Sequence, residues 1–146
     1  MLPTLRFSLR ELAWAWLAAT ALSGAPSTLW ALLTGGDIGE ATWAAGAMLL
    51  PADSPRPWLF AAAALVHGSV SAFWTLVGGA LLPRRHTALW AVVMAVAIGL
   101  LDLRVIAPAL FPSVAALTFW PQMADHLMWG ACLGLPLQLM ARSRPP

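Results

Sequence analysis

The chain has no lysine and no tyrosine, a single cysteine, and charged side chains at only 10% of its 146 positions. A water-soluble domain of this length carries about a quarter of its residues charged. With hydrophobic residues at 60% and a mean hydropathy of +0.77, lipid is the expected solvent. Cys132 has no second thiol to pair with, which excludes an intramolecular disulfide, and it reads as a small packed residue. The formal net charge is only +2, and no basic run is long enough to follow a phosphate backbone, so nucleic acid is not an expected partner. Also missing are a glycine-rich phosphate loop, a zinc-protease helix motif, a nucleophile elbow and an internal repeat, and no enzyme class is indicated. Ser69, Ser71, His67 and Asp102 would make a nucleophile, base and orienter on paper, yet serine and histidine are equally ordinary at helix interfaces.

What the chain does have is apolar length. A helix needs about 20 apolar residues, at about 1.5 Å each, to cross a bilayer core. Stretches of that order cover residues 9–25, 58–82, 87–107 and 121–140. Isolated strands would leave backbone amides unpaired in lipid. The expected fold is therefore an all-α membrane protein, a four-helix transmembrane bundle forming one domain over residues 1–146. Arg6 and Arg10 precede the first span, Arg84 and Arg85 separate the second from the third, and Arg142 and Arg144 follow the fourth. Four spans bring these groups to one side, which the positive-inside rule makes cytoplasmic for both termini.

Between the first two spans, residues 27–50 are also apolar, but Gly35-Gly36-Asp37-Ile38-Gly39-Glu40 interrupts them. Two carboxylates and three glycines in mid-membrane would cost several kcal/mol. This segment is expected as a short interfacial or re-entrant helical hairpin in the outer leaflet, with Ser27 or Thr28 capping its first helix and Asp37 its second. A rival reading takes residues 1–25 as a cleaved signal peptide ending at Ser23-Gly24-Ala25, against which stand Glu11, Trp14 and Trp16 in its apolar core. The tail, residues 142–146, is expected to be disordered.

Ionisable groups inside a span are costly and mark function or pairing. Helical rise puts Asp125 and His126 near the outer end of the fourth span, Asp102 and Arg104 near that of the third, and His67 deeper in the second. These five form the candidate site, a buried polar cluster able to hold a proton or an ion. Four-residue spacing adds Ser71 and Thr75 to the face of His67, and Gly130 and Gly134 to that of His126, where small residues permit close helix packing. Gln122 lies one turn before His126. A parallel line of Ala91, Ala95 and Gly99 runs up the third span.

Two functional classes follow. In one, the cluster holds the bundle together, with Arg104 paired to Asp125 or Asp102, in a structural or accessory protein whose partners are lipid, other membrane subunits or a second copy of the chain. In the other, Asp125, His126 and Asp102 carry protons in a small transporter. Glu11, Thr75 and Gln138 are the only polar candidates for a path through the inner half. No cofactor is expected. A metal or haem held by His67 and His126 is a third alternative, hampered by a depth difference of about 6 Å at helical rise.

The ordered marks Gly24-Ala25-Pro26-Ser27-Thr28, His67 with Ser69 and Ser71, Leu101-Asp102-Leu103, and Pro121-Gln122-Met123-Ala124-Asp125-His126 resemble a family of small uncharacterised bacterial four-helix integral membrane proteins. The resemblance covers nearly the whole chain. It implies a multi-pass protein of the bacterial inner membrane and no particular activity.

Overall fold

The structure is a computed structural model that describes residues 5–142, all helical with no strand among them. Helix α1, Leu9–Leu22, starts at a reciprocal cap: Ser8 Oγ accepts the Glu11 amide at 3.4 Å while Glu11 Oε2 accepts the Ser8 amide at 2.7 Å. It ends just before Pro26, which has no N–H to give the Leu22 carbonyl, so the ladder breaks at Ser23-Gly24 and restarts as α2, Ala25–Thr34. Gly35, at φ 73°, closes α2 in the left-handed conformation. A short α3, Glu40–Gly46, precedes α4, Arg56–Leu81, and α5, Thr87–Leu101. Helix α5 passes through a π-helical turn, Asp102–Ile106, into α6, Ala107–Leu110. After α7, Pro112–Ala115, comes α8, Phe119–Arg142.

Helix α8 is the centre of the bundle, packed against α5, α1 and α2, while α4 packs against α1 and α3. The two small-residue lines meet. A methyl group added at Gly130 would lie 2.6 Å from Ala95 Cβ, and one at Gly134 would lie 2.7 Å from Ala91 Cβ, so only glycine lets α8 approach α5 this closely. Leu133 and Leu137 fill the core beside them.

Arg6 and Arg84 meet at one end. The Arg6 amide donates to the Gly79 carbonyl at 2.8 Å, and Arg84 Nε donates to the Arg6 carbonyl at 2.9 Å. At the same end Gln138 Oε1, one turn before Arg142, accepts the Ala88 amide at 3.1 Å. Arg144 and the rest of the expected tail, 143–146, lie outside the described residues.

Two short helices, α2 and α3, occupy the region before α4. Trp16 reaches the Gly68 carbonyl and Ser23 reaches His67, so α1 runs antiparallel to α4, and after α2 Asp37 reaches Arg56 at the start of α4. Helix α2 packs alongside the start of α8, with Ala31 its one buried residue. The expected caps differ. Helix α2 begins after Gly24, before Ser27 or Thr28, and Asp37 braces the turn into α3 by accepting the Gly39 amide at 2.8 Å.

Two helical stretches, Arg56–Leu81 and Thr87–Leu110, are long and apolar enough to cross a membrane, with mean hydropathies of 1.6 and 2.2. Only 22% of the most apolar window of each is buried within the protein. The core helix of a soluble domain would hide that surface.

Candidate functional site

Two breaks in helix regularity meet away from the arginine end. One is the Ser23-Gly24 joint between α1 and α2. The other is the π-turn of α5, where the Ala107 amide reaches back five residues to the Asp102 carbonyl. Its cause is local: Pro108 has no N–H for Arg104, and its ring crowds that carbonyl. Such turns are frequent at functional sites. Both irregularities face Asp125 and His126 of α8, and a cavity of about 120 Å³ between them is lined by Ser23, His67, Ser71, Asp102, Asp125 and His126.

The geometry of His126 fixes a proton. Its Nδ1 lies 2.9 Å from the Gln122 carbonyl, which can only accept, so Nδ1 carries hydrogen. Its Nε2 faces Asp102 Oδ2 at 3.3 Å. A hydrogen bond there needs one proton between the two groups, held as imidazolium and carboxylate or as imidazole and carboxylic acid. The pair has zero net charge in either form, which suits a low-dielectric setting. Gly99 makes room for this ring, since a methyl group there would lie 3.0 Å from His126 Cγ.

Asp125 has a different task. Its Oδ1 accepts the Ser27 amide at 2.9 Å, in the first turn of α2, whose own N-cap Gly24 offers no side chain. A carboxylate at this position satisfies an open amide and opposes the positive end of the helix dipole. His67 ties α4 to α1, its Nε2 lying 3.1 Å from both Ser23 Oγ and the Thr20 carbonyl. Ser71 joins three helices, accepting from Trp129 Nε1 at 2.8 Å and meeting Thr20 Oγ1 at 2.7 Å. Thr75 is buried below it, and its Oγ1 has no hydrogen-bond partner among the described residues.

Arg104 does not join the cluster. It lies over the Phe119 ring at 4.2 Å and forms no ion pair among the described residues. Residues two apart on a helix point in diverging directions, so turning Asp102 toward α8 turns Arg104 away. Thr20, Ser23 and Trp129 belong to the site although their residue types gave no signal of it. Ser23 at least sits directly before the Gly24-Ala25-Pro26 break.

No three His, Cys, Asp or Glu residues gather as a metal-holding group among the described residues. His67 and His126 do line one cavity, but both nitrogens of His126 already face partners, so ligation through it would displace Asp102 or Gln122. Compared with known proteins, the chain matches no family model, no curated protein and no solved structure.

Proposed function

We propose that this chain is an integral protein of the bacterial inner membrane with four crossings and both termini cytoplasmic, acting as a structural or accessory component. The first crossing is then the broken pair α1 and α2, the others α4, α5 with its π-turn, and α8. Lipid covers the apolar exterior, which includes Trp14, Leu65, Trp90 and Leu139, each at least half exposed. The polar cluster clamps the broken crossing in place. The observation that carries this reading is the Asp125 carboxylate on the Ser27 amide, because it gives the most exceptional charge in α8 a structural partner in another helix. The inner polar groups favour the same reading. Glu11 belongs to the α1 cap and Gln138 to the start of α5, which leaves Thr75 alone between the cavity and the arginine end.

The test is a pair of variants in mild detergent. Asp125→Asn keeps an oxygen for the Ser27 amide and should stay folded near wild-type stability. Asp125→Leu should lose about 1–3 kcal/mol, the cost of an open buried amide, read as a lower unfolding temperature. Equal stability of the two variants would contradict the clamp.

A proton-coupled transporter is the second reading, favoured by the single proton on the His126–Asp102 contact beside an open cavity. It calls for pH-driven flux in proteoliposomes that disappears in Asp102→Asn while the protein stays folded.

A further inference from the structure

Helices α4 and α5 are consecutive, but α4 leans on α1 and α3 whereas α5 packs on α8. A crevice of about 550 Å³ opens between them. One wall is α4, with Val66, Val70 and Phe73; the other is the π-turn and α6, with Leu103 and Ile106. At its inner end the crevice reaches Asp102 and His126, which also line the smaller cavity. Size and character match sites for small molecules, apolar throughout with a few convergent polar groups. A crevice facing bilayer on one side and a proton-holding pair on the other takes its ligand from the lipid phase.

The polar end narrows the chemistry. The His126–Asp102 pair is neutral overall, so a ligand of net charge would arrive in a low-dielectric site without a counter-ion. Asp125 lines the smaller cavity and not the crevice. The shared proton can be presented from either partner, so the pair can donate to a carbonyl oxygen or accept from a hydroxyl. Asp102 Oδ1 takes no hydrogen bond from the described residues, and about a quarter of each side chain stays exposed, at 24% for His126 and 29% for Asp102. Trp74, set edge-on to Phe73 at 5.1 Å, lines both crevice and cavity and offers an aromatic face beside the pair.

We infer that this crevice binds a lipid-soluble neutral molecule with a flat, oxygen-bearing ring and an apolar tail, of the quinone or quinol class, its ring oxygen on the His126–Asp102 pair and its tail along Val66 and Ile106. The inference rests on the membrane-spanning reading above, and concerns binding alone.

The experiment measures equilibrium binding of a radiolabelled decyl-substituted benzoquinone to the protein in lipid nanodiscs, after subtraction of empty nanodiscs. One saturable site per chain is expected, weakened at least tenfold in Asp102→Asn, which removes the shared proton at nearly constant size. Val70→Trp, on an exposed face of α4, should fill the crevice and abolish binding with both residues of the pair retained; Leu103→Trp repeats this from the opposite wall if the first variant misfolds. Decanoate and decylamine at equal concentration should compete poorly. Non-saturable uptake, equal binding by the crevice-filling variants, or better competition by either charged compound would overturn the inference. Flotation with liposomes separates the two readings: failure of the protein to float removes the membrane assignment, whereas a floating protein without saturable binding removes only the ligand site.

Discussion

Single side chains on α8 do work at the starts of two other helices. Asp125 accepts an amide in the first turn of α2, and Gln138 accepts one in the first turn of α5, where the N-cap residues Gly24 and His86 supply no side-chain oxygen. Polar groups that sequence alone marks as expensive are thus placed where backbone amides would otherwise remain open. Asp37 performs the local version of this task at the turn before α3. The Gly39 amide holds its carboxyl below the ordinary value, with Trp43 Nε1 at 3.1 Å and Arg56 at 3.5 Å adding to the effect. A carboxyl lowered in the folded state adds stability above its unfolded value of about 4, and that contribution disappears as pH falls through the lower folded value. Thermal unfolding of wild type and Asp37→Ala should therefore differ at neutral pH and converge as pH falls through the lowered folded value, the difference being small because the group is exposed and solvent-screened. A gap that persists unchanged to low pH would show that the carboxylate charge is not what matters at this turn.

Among the elements, continuity of a helix was legible only where the chain is chemically uniform. The run of apolar residues in α4 specifies one long helix, and the spacing of Gly130, Gly134, Ala91 and Ala95 specifies its neighbours' contact face before any coordinate is known. The breaks were harder. Pro26 marks the end of α1 in the sequence, but nothing local says that the next ten residues pack on α8, because that depends on Asp125 almost a hundred positions later. The π-turn follows from Pro108, while Asp102 and Arg104 diverge because residues two apart on a helix point in different directions; charge pairing alone suggested that Arg104 belonged with Asp125 or Asp102. The α5–α8 seam and the α1–α2 joint should respond oppositely to added volume. Gly134→Leu must push against Ala88 and Ala91 and should cost about 1–3 kcal/mol. Gly24→Ala meets nothing within 4 Å and has an ordinary negative φ, so it should change stability by less than about 0.5 kcal/mol. Chemical or thermal unfolding in one detergent decides both, and a tolerant Gly134 would mean that the seam is looser than drawn.

At the scale of the whole molecule, charge and hydropathy speak to different parts of the same topology. Hydropathy singles out Arg56–Leu81 and Thr87–Leu110, because α1 is short and broken while α8 carries Gln122, Asp125, His126 and Gln138. Arginine placement covers the remainder, since Arg6, Arg84 and Arg142 share one end through contacts between distant segments. The proposed four crossings would satisfy both patterns, whereas two would put the apolar outer faces of α1 and α8 in water. Single cysteines in a Cys132→Ser background can read this directly with a membrane-impermeant maleimide on intact spheroplasts. Asp53→Cys, in the loop opposite the arginine end, should label at once; Arg10→Cys and Arg85→Cys should label only after permeabilisation. Opposite behaviour of Arg10→Cys and Arg85→Cys would mean that α1 and α2 do not cross as a unit. Loss of Arg10→Cys from the mature protein, with Asp53→Cys unchanged, would mean instead that the first segment is removed, and the Ser23 and Thr20 contacts to His67 and Ser71 would then be absent from the working protein.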